Sequence, residues 1–133
     1  MKQQLALAAI LTVLSTSAVA DWIPVAIHDE PGSFTVYADP ATIRRSGHLV
    51  TIWELNNYTV PQVIATGASF LSGEAQAEYD CIEQRANILF QAQFSQAMGA
   101  GNLVSRRSNP AGWFPVPPGS IAEIMLKFAC RNR

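Results

Sequence analysis

Strict alternation of polar and less polar side chains in the middle of the chain is the sequence feature that most constrains its fold. The alternating side chains run from residue 74 to residue 81: Glu74, Gln76, Glu78 and Asp80 on one side, and Ala75, Ala77, Tyr79 and Cys81 on the other. Successive side chains of a β-strand point to opposite faces of a sheet, so one set meets solvent and the other meets a core. The segment therefore predicts a half-buried strand of an antiparallel sheet, with Cys81 on its core side.

Further strand signals lie on both sides of this segment. Apolar or alternating runs predict strands over residues 22–28, 33–38, 48–55, 86–95 and 103–106. Pro24 suits an edge strand, because proline has no backbone N–H to donate. For residues 86–95 the alternation predicts that Ile88, Phe90, Ala92 and Phe94 share one face, although the Ala and Gln content also permits a helix.

Turn signals separate these runs. Residues 39–43 predict a capped turn in which the Asp39 side chain accepts backbone N–H groups, and residues 44–47 are predicted to reverse the chain. Two glycines predict a turn over residues 98–102, and residues 108–119 predict an irregular loop because of their prolines.

The periodicity changes to that of a helix at the carboxyl end. Ser120 and Glu123 form a Ser-x-x-Glu capping box, and apolar side chains then recur at helical spacing at Ile121, Ile124, Met125 and Phe128. A helix of about ten residues does not hold in water by itself, so residues 121–130 must pack on the sheet. The predicted fold class is α+β: an antiparallel β-sheet of about five to six strands with one C-terminal helix packed on it.

The amino end predicts export. Residues 1–20 read as a signal peptide, with a basic Lys2, an apolar run and a small-x-small cleavage site at Ala18-Val19-Ala20. The predicted mature chain, residues 21–133, is one domain. It contains no second apolar stretch long enough to span a membrane, and no Cys follows the cleavage site, so neither a membrane span nor a lipid anchor is expected.

Cys81 and Cys130 are the two cysteines of the chain. An even pair in an exported protein predicts a disulfide, which here fastens the helix to the strand over residues 74–81. The alternative, a catalytic Cys with a His partner, requires a reduced thiol in an oxidising compartment.

Composition and motifs exclude several kinds of site. Cleavage removes only Lys2 among the charges, leaving 8 basic against 10 acidic side chains, so nothing marks a nucleic-acid surface. Glu78 and Asp80 have the spacing of a carboxylate pair but are expected on the solvent face. His28 and His48 lack further ligands at metal-binding spacing, and no Gly-x-Ser-x-Gly motif occurs. We therefore predict no catalytic residue, no metal site and no cofactor.

Two groups of residues remain as binding candidates. Arg44, Arg45, Arg106 and Arg107 would form a four-arginine patch for polyanions or acidic protein segments if the two pairs meet in space; ordinary turn charges explain them equally well. Trp113 and Phe114, within the proline-rich loop, are candidates for an aromatic contact with a partner. The alternative for these two aromatic residues is packing over the helix.

Several segments, in this order and spacing, carry a resemblance to a known family: Trp22, the run from Val36 to Arg44, Val50-x-x-Trp53, Tyr79-Asp80-Cys81, Met98-Gly99-Ala100-Gly101, and the run from Trp113 to Ser120 leading to Cys130. The chain resembles the surface-adhesin protein E-like family of Gram-negative bacteria. The resemblance implies an antiparallel sheet with a C-terminal helix tied down by a Cys81–Cys130 bridge. It also implies binding of host extracellular-matrix or serum proteins at the bacterial surface.

The predicted function is that of an exported, non-enzymatic binding module of the adhesin type, located in the periplasm or at the cell surface. The alternative is a periplasmic envelope accessory or structural protein that shares only the fold. A small hydrolase is the third class, and the sequence shows no triad, metal set or buried acid pair for it.

Overall fold

A computed structural model describes residues 20–131 of the protein. Apart from Ala20, the predicted signal peptide lies outside these residues. The elements are β1 (Ile23–His28), β2 (Phe34–Ser46), β3 (Leu49–Val63), β4 (Ser69–Asp80), β5 (Arg85–Phe94), a single 3-10 turn (Ala97–Gly99), β6 (Leu103–Arg107), β7 (Phe114–Pro115) and α1 (Ile121–Arg131).

The strands form one antiparallel sheet in which β1 to β6 lie side by side in chain order. Strand β6 pairs with the second half of β5, through residues 91–94. The two-residue β7 pairs with the beginning of β5, at Arg85 and Ala86. The predicted α+β fold, an antiparallel sheet with one C-terminal helix, is confirmed.

The helix covers one end of one face of the sheet, which we call the helix-bearing face. Val50 and Ile52 of β3 pair with Tyr79 and Ala77 of β4, and all four side chains are buried. Helix α1 contributes its own buried residues to the same core, namely Met125, Leu126 and Ala129. Complete burial of an aliphatic side chain such as Ile52 contributes about 1.5–3 kcal/mol, so these contacts hold the short helix in place.

Local contacts at both ends of α1 fix its position. At its beginning, Ser120 Oγ accepts the Glu123 N–H at 3.2 Å, and Glu123 Oε1 accepts the Gly119 N–H at 3.5 Å. At its end, the Arg45 guanidinium donates to the Cys130 carbonyl oxygen at 2.9 Å, which places a cation at the negative end of the helix. The predicted Ser120 cap is thus present, but the Glu123 side chain bonds the Gly119 N–H and not the Ser120 N–H, which donates to the Pro117 carbonyl oxygen.

The predicted disulfide between Cys81 and Cys130 is also present, with 49 residues of sequence separation. The bridge joins the end of the helix to the residue that follows β4, on the core side of the sheet. The chain-entropy model gives about 4 kcal/mol of stabilisation for a loop of this length.

The capped turn predicted over residues 39–43 lies within one long strand. The pairing of β2 with β3 shifts between Asp39 and Arg44, so residues 40–43 form a bulge while the strand continues. Asp39 Oδ1 accepts the Ala41 N–H at 3.1 Å, as the sequence predicted. The prediction was wrong about the end of the strand, because the Thr42 hydroxyl accepts the Trp53 N–H at 2.9 Å and keeps the segment attached to β3.

Three further differences between the predicted and the observed strands come from pairing between distant residues. The chain reverses only at residues 47–48, so Arg44 and Arg45 belong to β2. Strands β3 and β4 extend well beyond residue 55 and before residue 74, because they pair with each other there despite unfavourable Asn and Gly residues. In β5 a bulge at Leu89 places Ile88 beside Ala77 but Phe90 beside Gln76, so the predicted common face of Ile88 and Phe90 is wrong.

Candidate functional site

A groove at one end of the sheet collects the aromatic residues that the sequence singled out. It forms a cavity of about 550 Å³ where the β2–β3 turn, the β4–β5 turn and β7 meet. We call it the Trp113 groove, and its lining residues are His48, Asp80, Glu83, Arg85, Trp113, Phe114 and Pro115.

Asp80 is the buried anchor of this groove, with a side chain that is 0% exposed. Its Oδ1 accepts the backbone N–H groups of Ile82 at 3.1 Å and Glu83 at 3.0 Å, and its Oδ2 lies 3.2 Å from Arg85 Nε and 3.7 Å from His48 Nε2. The pKa of Asp80 lies below its usual value, and the hydrogen bond from the Glu83 N–H is the largest cause. The hydrogen bonds from Ile82 and Arg85 and the charge of His48 lower the pKa further, whereas burial of the carboxylate raises it.

Burial of Asp80 corrects the expectation that this residue lies on a solvated face. The strand ends at Asp80, and the turn that follows folds its own N–H groups onto the carboxylate. An ionised carboxylate with this many donors has no proton to give, so Asp80 orients Arg85 and does not act as a general acid.

Arg85 in turn supports Trp113. Its guanidinium carbon lies 4.5 Å from the centroid of the Trp113 ring, which is a cation–π contact. Trp113 and Phe114 each remain 37% exposed, and the Arg85 side chain is 43% exposed. The groove therefore presents an aromatic ring and a guanidinium to solvent in a fixed arrangement.

The proline-rich loop is held along β5. The Ala111 N–H donates to the Ile88 carbonyl oxygen at 2.9 Å, and the Gly112 N–H donates to Asn87 Oδ1 at 3.0 Å. The Val116 N–H closes the segment by donating to the Gln84 carbonyl oxygen at 3.1 Å. Trp113 thus lies against Arg85 at the end of the sheet, and the role of Trp113 and Phe114 in binding stays a prediction.

The two arginine pairs are not brought together. Arg44 and Arg45 lie on β2, Arg106 and Arg107 lie on β6, and three strands separate them. Four inter-strand spacings amount to about 19 Å. Arg44 donates to the carbonyl oxygens of Ala41 and Ile43, and Arg45 is occupied at the helix end, so the first pair has local structural roles.

His48 and Asp80 approach each other, but none of the lining residues is a Ser, a Thr or a free Cys that could act as a nucleophile. Over residues 20–131 no group of three or more His, Cys, Asp or Glu side chains has the geometry of a metal site. Within the same range no helix has the length and apolar character needed to cross a membrane.

Sequence reasoning found the aromatic half of the groove and missed its polar half. Trp113 and Phe114 stood out as aromatic residues in a loop rich in proline. Asp80, Arg85 and His48 come together only through the β4–β5 turn and the start of β3. The sequence signal that could have indicated a buried Asp80 is its position directly before Cys81, at the end of the alternating strand.

The fold and the groove define a small disulfide-bonded α+β domain with an aromatic groove at one end of its sheet. The sequence profile of the family described as Surface-adhesin protein E matches residues 22–131. The chain belongs to the Surface-adhesin protein E family, a family of surface adhesins, and the resemblance inferred from the sequence is confirmed.

Solved structures support the same fold. The structure of Haemophilus influenzae protein E is 12% identical to this chain, with a TM-score of 0.62, over 88% of this chain and 89% of that chain. The crystal structure of protein E from non-typeable Haemophilus influenzae is also 12% identical, with a TM-score of 0.60, over 88% of this chain and 80% of that chain. At this identity the likeness establishes a shared fold. A search of curated proteins gave no match.

Proposed function

We propose that the protein is exported after removal of residues 1–20 and acts, without catalysis, as an adhesin-like protein at the cell surface that binds host matrix or serum proteins. Membership of the Surface-adhesin protein E family over residues 22–131 is the observation that carries this proposal. The Trp113 groove is the surface that we assign to the partner.

The groove has the composition of a protein-binding site. Residues that dominate binding energy at protein interfaces are enriched in Trp, Tyr and Arg, and here Trp113 and Arg85 lie in direct contact. Because Asp80 holds Arg85, and Arg85 holds Trp113, little side-chain freedom is lost when a partner binds. Phe114 and Pro115 extend the apolar surface along β7.

The location test uses protease added to intact cells, with a known periplasmic protein as control. We expect the protein to be digested while the control survives. Digestion only after the outer membrane is opened would contradict a surface location and favour the alternative function, a periplasmic envelope accessory protein.

The binding test uses the purified mature chain and immobilised collagen, fibronectin and fibrinogen, with serum albumin as the negative surface. We expect binding to at least one matrix or serum protein and a loss of about tenfold or more in affinity for Trp113→Ala. Leu103→Ala is the matched control, because Leu103 is 54% exposed but lies on β6, away from the groove. Equal binding by both variants would contradict the assignment of the groove, and the absence of any binding would contradict the host-protein function.

A further inference from the structure

A second concave site lies on the helix-bearing face, beyond the part that α1 covers. It is a cleft of about 190 Å³ across the three central strands, and we call it the Glu54 cleft. Its floor is formed by Gly73 and Ala75 of β4. Its walls are formed by polar side chains of the two neighbouring strands, namely Glu54 and Asn56 of β3 and Gln91 and Gln93 of β5, and Glu74 of β4 also lines it.

Gly73 keeps this cleft open, although the sheet itself does not require a glycine there. Its backbone does not adopt a positive φ, and a Cβ atom at this position would meet only ordinary contacts, the nearest being the Ala92 carbonyl oxygen at 3.5 Å. A glycine inside a strand weakens that strand, and such a residue often marks a place where a ligand approaches the backbone. The missing side chain thus points to an occupant.

The glutamine walls present hydrogen-bond donors. Gln91 Oε1 accepts a hydrogen bond from Arg107 at 3.4 Å, and Gln93 Oε1 accepts one from the Ser105 hydroxyl. With both carbonyl oxygens engaged by β6, each amide NH2 group is left to donate to a ligand. A purely cationic ligand has no acceptor for these donors, so the cleft calls for oxygen atoms that accept hydrogen bonds.

Glu54 adds a group that both donates and accepts. One of its oxygens accepts the hydrogen bond of the Tyr79 hydroxyl, which leaves the second oxygen for the cleft. Burial raises the pKa of Glu54 to about 7, so its protonated and ionised forms coexist near neutral pH. None of the described residues that line the cleft is Lys or Arg, which disfavours phosphate, sulfate or carboxylate ligands.

Aromatic rings form the rim. The rings of Tyr58 and Phe70 meet edge to face, with 5.7 Å between their centroids. Phe34 continues the row with its centroid 5.2 Å from that of Tyr58. Such rings provide an apolar surface against which the C–H face of a saturated ring can pack.

From this geometry we propose that the Glu54 cleft binds one ring of a neutral saccharide. Hydroxyl groups both accept from amide N–H groups and donate to carboxyl oxygens, as the Gln91, Gln93 and Glu54 side chains require. The rim at Tyr58 and Phe70 packs against the apolar side of the ring. The volume fits, since a cavity of about 150 Å³ holds a benzene ring, and the cleft of about 190 Å³ leaves room for substituents.

The test is a titration of the mature protein, followed by amide NMR shifts, with glucose, galactose, mannose and N-acetylglucosamine as separate probes. A ligand of this size is expected to bind with a dissociation constant of the order of millimolar. We expect at least one probe to shift the amide signals of Asn56, Gly73 and Gln93 in a saturable manner. No saturable shift with any probe, or shifts confined to residues outside the cleft, would overturn the proposal.

Gly73→Val tests the site by filling it. Valine favours strands, so the fold should persist while binding weakens at least tenfold. Gln76→Val is the control, because Gln76 lies on the same strand but on the opposite face. Gln91→Leu, which removes two donors, is a second variant should Gly73→Val not fold. Unchanged affinity for the saccharide in the two cleft variants would contradict the proposal. The Trp113→Ala variant should bind the saccharide as the wild type does, so this test is independent of the proposed function.

Discussion

Two carboxyl groups on neighbouring strands, those of Glu54 and Asp80, have pKa values shifted in opposite directions because their surroundings differ. Within residues 20–131 the Glu54 carboxyl accepts a hydrogen bond from the Tyr79 hydroxyl, and burial is the dominant influence on its pKa. Asp80 receives two backbone N–H groups and the Arg85 guanidinium, and these donors outweigh burial. The hydrogen-bond donors around these two buried acids therefore account for the opposite directions of their pKa shifts.

The Glu54→Gln variant should remove a pH dependence of stability. The pKa of Glu54 is about 7 in the fold against an ordinary value of 4.5, so the folded protein binds the proton more tightly than the unfolded chain. Stability from this group is therefore full below pH 4.5 and is lost as pH rises through about 7, by about 3 kcal/mol in all. Urea unfolding of wild type and variant at both ends of this range measures the difference, and parallel pH profiles would contradict it.

Asp80→Asn should destabilise the fold in a way that disappears in acid. The pKa of Asp80 is lowered in the fold, so its contribution is present above the ordinary value of 3.8 and is lost as pH falls through the folded pKa. We expect a lower melting temperature for the variant at pH about 7 and a smaller difference at pH about 2. Asp29→Asn, in the exposed β1–β2 turn, is the control. A constant difference at all pH values would show that the charge of Asp80 is not the cause.

At the scale of elements, the helix depends on its cap and on the sheet together. Ser120 accepts the Glu123 N–H, and the sheet buries Met125, Leu126 and Ala129. Eleven residues are too few for a stable isolated helix, so both contributions are needed.

Ser120→Ala should lower the free energy of unfolding by about 1 kcal/mol, because the Glu123 N–H loses its acceptor. Urea denaturation followed by far-UV circular dichroism measures this change. Ser46→Ala, at the exposed end of β2, is the matched control and should be close to neutral. A Ser120→Ala variant as stable as the wild type would show that water replaces the cap without cost.

At the scale of the whole molecule, the Cys81–Cys130 bridge closes a loop that contains β5, β6 and β7. Replacement of both cysteines by alanine should cost about 4 kcal/mol of stability in the chain-entropy model. Equilibrium unfolding in urea measures the loss, with reduced wild-type protein as the comparison. Mass spectrometry of the oxidised and reduced mature protein should differ by two hydrogens, and two free thiols in the untreated protein would contradict the bridge.

The predictable part of the fold came from patterns within single segments. The alternation around Tyr79 identified a half-buried strand, and the spacing of Ile121 and Met125 identified the helix. Patterns within single segments did not predict the structure where pairing between distant residues determined it. The bulge at Leu89 puts Ile88 and Phe90 on different faces, and the hydrogen bond from the Trp53 N–H to the Thr42 hydroxyl keeps a turn-like segment within a strand.

The sequence by itself determined the α+β class, the disulfide pair and the helix boundaries, because periodicity, capping and cysteine count are local properties. Only the tertiary structure decided that Arg85 lies over Trp113, that three strands separate the two arginine pairs, and that Gly73 opens a polar cleft. These features join residues far apart in the chain, and the strand register that joins them is set by the hydrophobic pattern of the buried face and by the turns between strands.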